Sequence, residues 1–187
     1  HSQWIDQLES ELFDRGVAAL VGVRTRTVAR EREYLLRFSR AGARGVIVVS
    51  GFHALPSSSV AHYDVLAQVG VPLVVVNGPH DDLDATFVST DVERAIDLSL
   101  AHLRALGHRY IGLAIGDEPT WPVNRKVEAF RARQVALGVK TPEIAYTTSS
   151  SAGGFEAAVE LIGRRVTAII CGSDAMAAGA IDGAHSL

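Results

Sequence analysis

This chain of 187 residues has one cysteine and one methionine, and its only lysines are Lys126 and Lys140. The lone Cys171 excludes an internal disulfide framework and fits a reducing compartment. No apolar run approaches the ~20 residues of a membrane span. The polar opening from His1 shows no basic segment followed by an apolar core, so no secretory signal is read there, although a cleaved signal would leave no trace. Excess positive charge is absent too. The formal net charge is −3, which speaks against this segment being a nucleic-acid surface by itself. With 48% hydrophobic residues the chain is too apolar for a disordered polymer.

Catalytic and cofactor signatures are missing as well. There is no G-x-x-x-x-G-K-[ST] phosphate loop, no G-x-G-x-x-G after a strand, no H-E-x-x-H, no paired C-x-x-C and no G-x-S-x-G elbow. The seven histidines are scattered, so no metal site, cofactor or catalytic residue is expected.

What is present is an alternation. Short β-branched runs occur at 17–23, 45–49, 71–76, 86–89, 109–115, 144–147 and 166–171. Several are apolar on consecutive residues, as strands buried on both faces are. Between them lie stretches of helical spacing. The first carries Trp4, Ile5, Leu8, Leu12 and Phe13, the second Leu35, Leu36 and Phe38, and the third Val60, Tyr63, Leu66 and Val69. Ala95, Leu98, Leu100 and Leu103 mark the fourth, Val127, Phe130 and Val135 the fifth, and Phe155, Val159 and Leu161 the sixth. Thr90 and Glu93 read as a capping box before the fourth helix, and Ser173 or Asp174 can cap a last one. Gly16, Gly70, Gly107, Gly138 and Gly163 stand where helices should stop. Strand–helix alternation predicts parallel α/β sheets with right-handed crossovers, whose ligands bind beyond the carboxyl ends of the strands. The chain opens on a helix and closes at or near the end of one. It is therefore read as a fragment lacking a first strand and a C-terminal part.

Four stretches carry a resemblance. Val88-Ser89-Thr90-Asp91, followed by Ala101-His102-Leu103-Arg104-Ala105-Leu106-Gly107-His108-Arg109-Tyr110-Ile111-Gly112, resembles the signature of the lactose/galactose repressor family. Gly45–Ser50, Gly70–Asn77 and Thr167–Ala180 resemble three further family stretches in order and spacing. The resemblance implies a periplasmic-binding-protein-like fold: two doubly wound parallel-sheet lobes joined by a hinge, here residues 1–89 and an incomplete 90–187. It implies a cytoplasmic homodimer that senses a small polar effector, read as a sugar, between its lobes. It further implies operator DNA bound through a headpiece that these residues do not include. The same lobes would also suit a solute-binding protein of an uptake transporter.

Carried over residue by residue, the resemblance places Gln3 and Trp4 where the first helix meets an effector, and Ser50 and Asn77 at pocket positions on strand ends. Trp4 reads equally as a core residue, and Ser50 and Asn77 also suit ordinary turn chemistry. Phe87 walls the cleft or is plain core, and Trp121 is a second aromatic wall or a surface loop residue. Ser173 and Asp174 are ligands or caps, with Asp174 favoured as the cap. Where the family carries an arginine four residues before an aromatic, this chain has Lys126, with Ala129 in place of a glycine. Lysine is a point donor and does not reproduce the arginine fork. Either Lys126 serves with altered specificity, or neighbouring Arg125 reaches in; otherwise Arg125 is a solvated charge at a helix start.

Overall fold

Two parallel three-stranded sheets follow one another along the chain. The structure, a computed structural model, describes residues 2–23 and 27–187, with only the backbone of Ser2 and Gln3. Helix α1 (Ser2–Phe13) and α2 (Val28–Arg40) precede β1 (Val46–Val49). Two 3-10 turns, Phe52–Ala54 and Ala61–Tyr63, lead to the single-turn α3 (Asp64–Ala67), then β2 (Leu73–Val76) and β3 (Thr86–Val88). These strands form sheet A in the order β1-β2-β3. Helix α4 (Val92–Ala105) crosses to β4 (Ile111–Gly116), α5 (Trp121–Ala136), β5 (Glu143–Thr147), α6 (Ser151–Gly163), β6 (Ala168–Cys171) and α7 (Asp174–His185). Their sheet, B, has the order β5-β4-β6, with β4 central.

Strand alternation explains how sheet B is covered. Ile111, Leu113 and Ile115 point to one face, against Ile96 and Leu100 of α4 and Val127 and Phe130 of α5. Ala114 and Ala145 point to the other, against Ala157 and Leu161 of α6 and Met176 of α7. A strand with helices on both sides reads as a continuous apolar run, as β4 does. Sheet A has its core on one face, where Val46, Leu73 and Val75 meet Leu35 of α2 and Tyr63, Val65 and Leu66. On the opposite face Ile47 and Val49 are exposed at 45% and 39%.

The expected strand over 17–23 is not formed. No strand among the described residues pairs with it, and β-branched composition alone does not satisfy the N–H and C=O groups of an isolated strand. Gly22 rests instead on α2, where a Cβ would come within 3.0 Å of the Tyr34 ring and 3.1 Å of the Phe38 ring. The third helical stretch shrinks to a 3-10 turn and one α-turn. Gly70, at φ +68°, supplies the left-handed stop close behind it.

Caps shift by one residue at two helices. Asp91, not Thr90, caps α4, its carboxylate accepting from the Arg94 N–H at 2.8 Å. Ser173, not Asp174, caps α7, its hydroxyl accepting from the Met176 N–H at 3.3 Å. At the end of α6 the positive φ belongs to Arg165 (+68°) rather than to Gly163.

Candidate functional site

The carboxyl ends of sheet A hold two backbone outliers. Ser50, just after β1, has φ +53°, and Asn77, just after β2, has φ +68°. Left-handed conformations are costly for residues with a Cβ, and they cluster at ligand-contacting positions. The two side chains meet, the Asn77 amide donating to the Ser50 hydroxyl at 3.4 Å. One amide and one hydroxyl thus stand together on the sheet edge.

Sheet B approaches this edge through the start of α5. Phe87 of β3 and Trp121, the first residue of α5, lie edge to face, with ring centroids 5.5 Å apart and planes at 77°. Phe87 is 38% exposed, so it is not plain core, and Trp121 is a helix residue rather than a loop residue. Beside this pair, Gly78 lets the backbones close up. A Cβ there would sit 2.8 Å from the Ala54 Cα and 3.4 Å from the Trp121 Cβ. An aromatic wall from sheet A and one from helix α5 therefore meet next to the Ser50–Asn77 edge.

Across sheet B, Lys126 donates to the Gly172 carbonyl at 2.9 Å, joining α5 to the residue after β6. Burial pushes its ammonium below the ordinary lysine range. Ser173 follows directly as the α7 cap, whereas Asp174 is exposed. Arg125 pairs with Glu93 of α4 and, at 3.1 Å, with Glu128. It is thus a surface tie between α4 and α5.

The contacts of the described residues do not join Trp4 to this group; it is 49% exposed on α1. The Gln3 side chain lies outside the described residues. A separate open groove of about 530 Å³ runs between the loops after β1 and β2, lined by Ser58, Asp64, His80 and Asp82 among others. It includes none of the expected residues.

A buried polar network supports the sheet A edge. Glu31 accepts from the Tyr63 hydroxyl, from His62 Nε2 at 3.1 Å and from the Phe52 N–H at 3.4 Å. His53 Nε2 donates to the Val76 carbonyl at 3.1 Å, and its Nδ1 lies 3.3 Å from the Tyr63 hydroxyl. His53 is fully buried and Val76 immediately precedes Asn77, so the network fixes the loop that carries the outliers. Burial raises the Glu31 pKa, but the hydrogen bonds from His62 and Tyr63 outweigh it and hold the carboxyl below the ordinary range. Burial pushes His53 down, and burial together with Glu31 pushes the Tyr63 phenol far up. His53 lies just beyond β1, and the expectation of ligands beyond the carboxyl ends of strands is the one sequence signal that pointed here. Glu31 carried none, because an acid in a first helical turn is ordinary.

Residues 100–187 match the periplasmic binding protein-like domain family. The HTH-type transcriptional regulator MalR of Streptomyces coelicolor is 37% identical over 182 residues, 94% of this chain and 53% of that protein. The regulator reg1 of Streptomyces lividans is 37% identical over 183 residues, with the same shares. A ribose-bound LacI family regulator from Enterococcus faecium superposes with a TM-score of 0.81 at 23% identity, over 99% of this chain and 66% of that one. The chain is a relative of these HTH-type transcriptional regulators and shares the fold of the LacI family structure. It spans about half the length of the curated relatives it matches. A further LacI family structure, the lac repressor dimer bound to operator and the anti-inducer ONPF, also gives a TM-score of 0.81, at 18% identity over 99% of this chain and 64% of that one. The periplasmic-binding-protein-like α/β fold of the family is thus the fold of this chain.

The Gly107-His108-Arg109 signature has a structural role. His108 Nδ1 lies 3.0 Å from the Thr167 hydroxyl, and Arg109 donates to the Arg104 carbonyl at 3.0 Å. The motif ties the end of α4 to the segment entering β6. Among the described residues no helix is long and apolar enough to cross a membrane.

Proposed function

We propose that this chain is the effector-sensing part of a LacI-type transcriptional regulator, taking a small polar metabolite, a sugar in our reading, between lobes 1–89 and 90–187. The observation that carries the reading is the Phe87–Trp121 contact, which brings an aromatic side chain of sheet A and one of helix α5 together beside a polar strand edge. An indole offers a broad apolar face to sugar C–H groups, while the Asn77 amide and Ser50 hydroxyl suit ring hydroxyls. Lys126 of α5 and Ser173 at the start of α7 would supply polar groups from the other side. Trp4 and Gln3 would complete the wall from α1, and Asp174 would stay at the rim. In this reading ligand binding changes the angle between the lobes of a cytoplasmic homodimer, and so its hold on operator DNA. The residues act by binding and not by catalysis. The curated relatives are transcriptional regulators, which favours this reading over an uptake solute-binding protein.

Isothermal calorimetry against a panel of carbohydrates and nucleosides tests it. The expected result is one saturable ligand, whose affinity falls about tenfold or more in Trp121→Ala and in Asn77→Gly. The glycine variant keeps the left-handed backbone and removes only the amide. Silence across the panel, or binding indifferent to both substitutions, counts against it.

A further inference from the structure

Two adjacent cations on α5 have different electrostatic fates. Arg125 is neutralised twice, by Glu93 and by Glu128. Lys126 has no carboxylate within ion-pair distance among the described residues. Its only described polar partner is the neutral Gly172 carbonyl, which uses one of three ammonium protons. The side chain is half-buried, and burial is the sole influence pushing its ammonium down. A partly desolvated cation with no counter-charge is an unfavourable arrangement that an arriving anion would relieve.

Its position decides what could relieve it. Gly172 follows β6 directly, and sheet B runs β5-β4-β6, so the chain leaves β4 toward one neighbour and β6 lies on the other side. Crevices at such reversals, beyond the carboxyl ends, are where open α/β sheets bind ligands. Lys126 stands at this crevice on the same helix as Trp121, which faces Phe87 of sheet A. A lysine is a compact point charge, suited to a single anionic oxygen.

We propose that the ligand taken between the lobes carries an anionic group, a phosphate or a carboxylate, seated on the Lys126 ammonium. The inference rests on the effector-sensing reading and specifies the charge of the ligand.

The test uses the full-length protein and its Lys126→Gln and Lys126→Arg variants near neutral pH, in buffers free of phosphate. Glutamine keeps a donor for Gly172 without the charge, and arginine keeps the charge. Calorimetry compares glucose, glucose 6-phosphate and glucuronate, and thermal unfolding compares inorganic phosphate with chloride at matched ionic strength. One charged sugar is expected to bind about tenfold or more tighter than glucose in the wild type. That preference should vanish in Lys126→Gln and persist in Lys126→Arg. The phosphate and carboxylate arms identify which anion is taken. Stabilisation by inorganic phosphate that is lost in Lys126→Gln supports the anion site even if every sugar is silent, an outcome that would sink the sugar reading alone. Glucose binding as tightly as its charged counterparts overturns the inference and leaves the sugar reading intact. A preference that survives Lys126→Gln, or silence toward inorganic phosphate and both charged sugars, also overturns it. If Lys126→Gln does not fold, the wild-type comparison of charged against neutral ligands decides alone.

Discussion

Glu31 collects hydrogen bonds from three donors in a setting where each lost partner is costly, so acid should attack the sheet A edge first. Two groups set the window, and both have depressed values in the folded state. His53, lowered by burial from 6.5, contributes stability that is whole above that value and is lost as pH falls through its folded value. Glu31, held below 4.5 by its hydrogen bonds, contributes stability that is whole above 4.5 and fades as pH falls further. Thermal melts across this range should therefore show a decline beginning below 6.5 and steepening below 4.5. His53→Gln should flatten the upper part; an unchanged profile would remove His53 from the account. At this scale the sequence was only partly legible. Ser50, Asn77, Phe87, Trp121 and Lys126 could be singled out because strand ends and a family pattern marked them. Whether Phe87 was wall or core depended on Trp121 of α5, far along the chain, which no local pattern reports. The partnering of Arg125 likewise depended on Glu93, 32 positions away.

At the scale of elements, hydrophobic period and glycine stops located β1 through β6 and the long helices, most plainly β4, which is buried on both faces along its whole length. The segment 17–23 had the composition of a strand but no neighbour, and strand formation is a property of pairs. Caps were ambiguous by one residue, since adjacent Thr90 and Asp91 both qualify and only backbone geometry chooses. Asp91→Ala should cost about 1 kcal/mol in a denaturant titration, whereas Thr90→Ala should cost little. The crossing of α6 and α7 could not be foreseen. A Cβ on Gly179 would overlap the Ser151 carbonyl, and one on Gly154 would overlap the Met176 carbonyl. Glycines here allow backbone contact, so Gly179→Ala should destabilise by about 2 kcal/mol, measured by its unfolding midpoint. A neutral result would mean that the helices separate at no cost.

For the whole molecule, the relation between the two sheets is what makes a site. A Cβ on Gly78 would meet the Ala54 Cα and the Trp121 Cβ, so a larger side chain there should push the start of α5 away from sheet A. Gly78→Val is expected to weaken ligand binding about tenfold or more while leaving the far-ultraviolet spectrum unchanged. These residues carry a net charge of −3, so on their own they should retain DNA no better than nonspecifically in a gel shift at physiological salt. Site-specific retention would place DNA recognition inside these lobes. The most direct test uses the fact that the chain has two tryptophans. With Trp4→Phe, Trp121 becomes the only indole, and its emission can be followed as the carbohydrate and nucleoside panel is titrated. The account predicts a saturable change in Trp121 emission at the concentration where calorimetry shows binding. A ligand that binds by calorimetry and leaves Trp121 unaltered would contradict it.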